Sequence, residues 1–131
     1  MKQTLVLAAF TLLLWACASG PKPQSPRTRP PAKVGEVETG MASWYGPGYD
    51  GKRTACGDRF EQDALTAAHG TYPCGTKLRV TFISTGKSTV VKVNDLFTNH
   101  KGRLIDLSRG AAKAIGLLGP GTGKVKVEVV R

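Results

Sequence analysis

Four side chains in this sequence could carry protons to and from a reacting bond: the carboxylates of Asp58, Asp95 and Asp106 and the imidazole of His69. Asp95 stands at the C-terminal end of an apolar stretch, Val90-Val91-Lys92-Val93-Asn94, where a strand would present it. A carboxyl group there acts as an acid near neutral pH only if burial or a second carboxylate raises its pKa from about 3.9. The same residue type at a strand end also serves as a turn aspartate that accepts backbone amides. Asp106, just ahead of Ser108 and an alanine-rich stretch, has a structural alternative as well, fixing a strand-to-helix turn. Rings at Trp44, Tyr45 and Phe97 offer flat apolar faces for stacking, although Trp44 is the best suited of the three to core burial.

The three cysteines divide by context. Cys17 closes an apolar run from Leu5 to Trp15, broken only by Thr11, that follows Lys2. The run is too short to span a bilayer and has the flanks of an export signal. Leu14-Trp15-Ala16-Cys17 resembles the lipobox of bacterial lipoproteins, which implies that residues 1–16 are removed as a signal peptide and that Cys17 is lipidated and holds the protein to a membrane. Ala18, rather than aspartate, resembles the outer-membrane class of such lipoproteins, which places the domain in the periplasm. Cys56 and Cys74 remain, an even pair in a compartment that permits oxidation, and a disulfide between them is expected. Metal binding is the rival, but two lone thiols and two distant histidines make a poor zinc set, so neither a metal nor a cofactor is expected.

The elements that must position these groups follow from composition. Five of the eight prolines fall between Pro21 and Pro31, among Lys22, Arg27 and Arg29, a mixture that cannot bury apolar surface and favours extended chain. Residues 17–39 are therefore expected to be a tether and residues 40–131 one small domain, near the size at which a core alone is marginal. In that domain 14 Lys and Arg stand against 7 Asp and Glu, a net charge of +7. The charge suits an anionic cell-wall polymer or lipid surface, or simply a solvated exterior; no aromatic-basic interleaving marks a nucleic-acid binder, and a monomer is expected. Strand signals cover 41–45, 77–83, 88–94 and 124–130, separated by Gly-Pro-Gly and Thr-Gly-Lys turns. One helix is predicted over 109–115, with Ser108 as its N-cap and Gly116 at its C-terminal end. His100 is expected in solvent. A small barrel, which leaves no strand edge open, fits a short exported β domain.

Three ordered segments carry a family resemblance: Gly40-Met41-Ala42-Ser43-Trp44-Tyr45-Gly46 with Thr54-Ala55-Cys56-Gly57-Asp58-Arg59-Phe60, then Leu65-Thr66-Ala67-Ala68-His69, then Val91-Lys92-Val93-Asn94-Asp95 followed by Gly102-Arg103-Leu104-Ile105-Asp106-Leu107-Ser108. Together they resemble the rare lipoprotein A family, over almost all of residues 40–131. The resemblance implies a mainly β fold, a six-stranded double-psi β-barrel with one short helix. It also implies an endolytic lytic transglycosylase, a lyase that cuts peptidoglycan glycan strands, particularly those stripped of peptide stems, and leaves 1,6-anhydro-N-acetylmuramic acid ends. The chain is expected to lack the separate C-terminal peptidoglycan-binding domain of some members.

By position, the resemblance assigns Asp95 as the acid that later serves as base. Asp58 stands where the family usually has glutamate, and would raise the pKa of Asp95 or stabilise positive charge, its carboxylate drawn back by about an ångström. His69 would orient a carboxylate or bind a sugar hydroxyl, with a satisfied structural histidine as the alternative. Tyr45, Phe97 and Asp106 would contact substrate. Leu96-Phe97-Thr98-Asn99 replaces the family's usual loop after the first aspartate, and the stretch from Asn94 to Asp106 also resembles bacterial expansins, in which the second aspartate matters more. The alternative function is thus a non-catalytic, expansin-like polysaccharide-binding or wall-loosening module. A structural envelope lipoprotein that engages protein partners is the third.

Overall fold

The computed structural model describes residues 30–97 and 102–131. Six strands close into a barrel: β1 (Val37–Tyr45), β2 (Thr66–His69), β3 (Lys77–Phe82), β4 (Ser88–Leu96), β5 (Arg103–Ser108) and β6 (Thr122–Val130). Their spatial order is β1-β5-β2-β4-β3-β6. Two neighbouring pairs are parallel, β1 with β5 and β2 with β4, and the other four are antiparallel. Among the described residues the fold is mainly β, as expected, with one short α-helix, α1 (Arg109–Ile115).

Period-two alternation builds the interior. Leu78 and Val80 on β3, Val91 and Val93 on β4, and Val125, Val127 and Val129 on β6 point inward, while Lys77, Arg79, Lys92, Lys124 and Lys126 point to solvent. Each fully buried Val, Leu or Ile contributes about 1.5–3 kcal/mol, so this set supplies most of the barrel's cohesion. Trp44 is partly buried and packs against the same core. Closure of the sheet leaves no unpaired edge among the described strands on which another chain could build.

Helix α1 starts and stops where its sequence dictates. The Ser108 hydroxyl accepts a hydrogen bond from the Ala111 amide at 3.1 Å, and Gly116 takes the left-handed conformation at φ 81° that ends the helix. Ala111, Ala112 and Ile115 are buried against the barrel. Gly110 is required by a close approach, because a Cβ there would meet the Asp63 carbonyl. That contact, with the Gly110 amide on the Gln62 carbonyl at 2.8 Å, seats the long segment between β1 and β2 on the helix. The expected Cys56–Cys74 disulfide is present and ties the same segment to the turn after β2.

Candidate active site

Strand pairing gathers the candidate carboxylates. Ser43 on β1 lies opposite Asp106 on β5, Asp106 lies opposite Ala68 on β2, and Ala68 lies opposite Asp95 on β4. Residues opposite one another on adjacent strands share a face, so this row runs across four strands on one side of the sheet. A β-bulge produces it: Ala67 pairs with Val93 and Ala68 with Asp95, which leaves Asn94 as the extra residue and turns Asp95 out of the core. Two strand spacings separate the aspartates, roughly 9–10 Å between Cα atoms, with only the methyl group of Ala68 between them.

The segment between β1 and β2 roofs this row. Tyr45 stacks on buried Phe60, ring centroids 4.5 Å apart, and meets Tyr49 edge-on at 5.6 Å. Asp95 Oδ1 accepts the Ala55 amide and the Leu96 amide, each at 2.9 Å. The turn-aspartate expectation is therefore met at one oxygen, and Asp95 lines a pocket at the same time. That pocket, about 190 Å³, is formed by Tyr45, Tyr49, Ala68, Asp95, Phe97 and Asp106, with Leu96 beside them. Burial first, and then the charges of Asp95 and Asp106, push the Tyr45 phenol well above the ordinary tyrosine range, so it remains an O–H donor. Its hydroxyl is buried with no hydrogen-bond partner among the described residues.

Asp106 does not fix the strand-to-helix turn; Ser108 does that, and Asp106 lies within β5. Its Oδ1 accepts the Ser43 hydroxyl at 2.6 Å, and Ser43 Oγ in turn accepts Arg103 Nη1 at 2.7 Å. Asp58 is elsewhere: its carboxylate pairs with exposed Lys92 at 3.3 Å and lines neither this pocket nor the one described next.

His69 is buried beside a second pocket of about 390 Å³, lined by Glu38, His69, Thr71, Phe97, Arg103 and Leu104, with Gly70. The His69 ring stacks on Tyr72, Nδ1 accepts the Thr71 and Tyr72 amides at 3.1 and 3.2 Å, and Nε2 lies 3.4 Å from Glu38 Oε2. A nitrogen that accepts two amides carries no proton, so the ring proton sits on Nε2, toward Glu38. Phe97 lines both pockets. The structure thus brings Asp95, Asp106, Tyr45 and Phe97 together, sets His69 in the adjoining pocket, and leaves Asp58 outside both. Among the described residues no group of three or more His, Cys, Asp and Glu could hold a metal. Cys17 and His100 lie outside the described residues.

Sequence reasoning missed Ser43, Tyr49, Arg103 and Glu38. Ser43 was within reach, since it shares the face of Tyr45 by period two, whereas Ala42 faces the core. Nothing local marks Arg103, whose partner Ser43 is 60 residues away.

Comparison with known proteins places these features in a family. The lytic transglycolase family, a double-psi β-barrel type, matches residues 37–129. A probable endolytic peptidoglycan transglycosylase RlpA from Synechocystis is 51% identical over 100 residues, covering 76% of this chain and 31% of that protein. The endolytic peptidoglycan transglycosylase RlpA of Campylobacter jejuni is 47% identical over 97 residues, 74% of this chain and 35% of that one. The chain therefore spans about a third of each of these relatives. A mutant expansin from Clavibacter michiganensis, solved with cellohexaose, superposes with a TM-score of 0.60 at 24% identity, over 73% of this chain and 51% of that one, and shares the fold.

Proposed function

The chain belongs to the lytic transglycolase family, and we propose that it cuts peptidoglycan glycan strands by lytic transglycosylation in the pocket between Asp95 and Asp106. The observation that carries this reading is the bulged register that sets two carboxylates on either side of Ala68 in a pocket with aromatic walls. In the proposed reaction, Asp95 acts as the general acid that gives a proton to the glycosidic oxygen as the bond to C1 of N-acetylmuramic acid breaks. The Asp106 carboxylate, held by Ser43, faces the positive charge that develops. The C6 hydroxyl then attacks C1 and returns its proton to Asp95, so the acid is regenerated, no water is consumed, and a 1,6-anhydro end is left. Both amide contacts of Asp95 fall on Oδ1, which makes Oδ2 the oxygen that exchanges the proton. Tyr45 donates to the sugar or to a carboxylate, and exposed Tyr49 and half-buried Phe97 present faces for stacking. In this reading His69 and Asp58 support from outside: His69 orders the adjoining wall, and Asp58 holds the roofing segment to Lys92.

The lipobox-like motif supports export with removal of residues 1–16, a lipid on Cys17 and a tether that stands the barrel off the outer membrane; because β1 begins at Val37, the expected 17–39 tether is cut short at its C-terminal end and the barrel takes in residues 37–39. A second reading, an expansin-like binder that does not cut, draws on the hydrogen bonds that already engage Asp95 Oδ1 and on the distance of Asp58 from the pocket. Incubation of the full chain with stem-free glycan strands, followed by mass spectrometry, separates the two. Anhydromuramyl products support the enzyme; pelleting with strands and no product supports the binder.

A further inference from the structure

The row of Ser43, Asp106, Ala68 and Asp95 occupies one wall of the barrel, and a group of cations occupies the other. Asp106 and Ala68, at the middle of the row, stand on β5 and β2. Three steps from these strands around the closed order β1-β5-β2-β4-β3-β6 are β3 and β6, half the circumference away. Period two sends Lys77 and Arg79 outward from β3, and Lys124 and Lys126 outward from β6, and all four are exposed. Arg79 pairs at 3.4 Å with Glu128, the only carboxylate on these two strands. No carboxylate among the described residues lies within ion-pair reach of Lys77, Lys124 or Lys126. Exposed apolar side chains interleave with the cations: Met41 of β1 lies opposite Lys124, Val37 of β1 opposite Glu128, and Val90 of β4 opposite Arg79. The chain that leads toward Cys17 leaves the barrel beside this wall. The Gly35 amide donates to the Val129 carbonyl of β6 at 2.8 Å, and Pro31, Ala32 and Val34 line a cavity of about 360 Å³ together with Lys77. Thirteen positions separate Cys17 from Pro30, the first described residue, a reach of at most about 45 Å.

We propose that the β3–β6 face rests on an anionic phospholipid surface, so that the anchored barrel turns its Asp95–Asp106 pocket away from the membrane and toward the wall. The inference rests on the reading of Cys17 as a lipid anchor. Lys77, Lys124 and Lys126 attract acidic headgroups, and each such contact at a membrane surface strengthens binding severalfold. Alone, three contacts make a weak attachment. A short linker supplies an effective concentration of about millimolar, at which a weak face stays engaged. Met41, Val37 and Val90 favour lipid over a hydrophilic anionic polymer, because apolar side chains gain by entering the headgroup region and gain nothing on a hydrated glycan. The consequence is directional. A barrel that turned freely on its tether would face the membrane as often as the glycan, whereas a seated one presents its pocket to the glycan continuously.

The test reconstitutes the full chain into vesicles of phosphatidylcholine alone, or with about one-third phosphatidylglycerol, acetylates amines briefly, and reads each lysine by mass spectrometry. Lys77, Lys124 and Lys126 should react about fivefold more slowly on the anionic vesicles. Lys52, whose ammonium lies over the Tyr49 ring at the pocket, should react equally on both. Salt at about 0.5 M should erase the difference. Lys124→Gln combined with Lys126→Gln should return Lys77 to its rate on uncharged vesicles, and these exposed positions leave the core untouched. Equal labelling of the three lysines on both vesicles overturns the proposal. Slowing of Lys52 as large as that of the face overturns it too, since the barrel would then lie in no fixed orientation. Stronger protection of the three lysines by soluble stem-free strands than by anionic vesicles also overturns it and assigns the face to glycan. The mass of the mature chain reports separately on the anchor. If Cys17 carries no lipid, the anchored reading falls; the same labelling pattern on vesicles added to that chain still upholds the face, and its absence there removes both.

Discussion

Breaking the Cys56–Cys74 bond should weaken the whole domain and misplace Asp95, the proposed acid. The bond closes a segment of 18 positions, for which loop-closure entropy gives a stabilisation of about 3 kcal/mol. In a domain of this size each kcal/mol moves the melting temperature by roughly 4–8 °C, so reduction should lower it by about 12–24 °C. The loss should also reach the site. Cys56 follows Ala55, whose amide donates to Asp95 Oδ1 at 2.9 Å. What remains to hold that segment includes the Tyr45–Phe60 stack, the Gly110 amide on the Gln62 carbonyl, and the exposed Arg109–Asp63 and Asp58–Lys92 pairs, the pairs contributing little. Turnover should therefore fall by about tenfold or more even at 20 °C, where the reduced barrel is still folded, because small displacements of a reacting group are costly. Circular dichroism melts of oxidised and reduced protein, paired with initial rates on stem-free strands, measure both effects. A melting point that falls by less than about 5 °C would remove the stapling role of the bond, and turnover unchanged by reduction its role in placing Asp95.

Ser108→Ala should cost about 2 kcal/mol, because the hydroxyl both caps α1 through Ala111 and donates to the Ala64 carbonyl; urea titration should show a lower midpoint at unchanged slope. Tyr72 predicts a specific alkaline weakness. Its folded pKa of about 12, against an ordinary 10, means that the folded state keeps the proton longer, so this contribution is complete below pH 10 and is lost as pH rises through 12. Brief pH-jump unfolding should show the decline in the native chain and a smaller one in Tyr72→Phe, where the raised Tyr45 phenol still contributes.

Much of the fold was legible because four strands alternate. The pattern in β6 and in the β3–β4 hairpin is nearly ideal, and α1 has a cap at each end within the sequence itself. β2 and β5 were not readable as strands from pattern. All four residues of β2 are buried, so no polar face interrupts Thr66-Ala67-Ala68-His69, and such a run has no period to detect. β5 ends in the helix cap, which drew Asp106 toward a turn assignment when it is a strand residue. The site was half legible for the same reason. Asp95 could be placed at a strand end, and Tyr45 and Phe97 at its margins, but the partner of Asp95 is set by the bulge and by strand order. Those are long-range facts that neither residue type nor spacing records. Ala68, which keeps the space between the carboxylates open, draws no attention as an alanine in a run of small residues.

Asp95 and Asp106, rather than Asp95 and Asp58, are proposed to act on the bond. Initial rates of anhydromuramyl release from stem-free strands by the full chain and its Asp95→Asn, Asp106→Asn and Asp58→Asn variants distinguish the two pairings. Losses of about 10³-fold or more are expected for Asp95→Asn and about 10²-fold for Asp106→Asn, with Asp58→Asn within about tenfold of the unaltered chain. Near-normal release by Asp106→Asn, together with a collapse in Asp58→Asn as deep as that of Asp95→Asn, would contradict the pairing of Asp95 with Asp106.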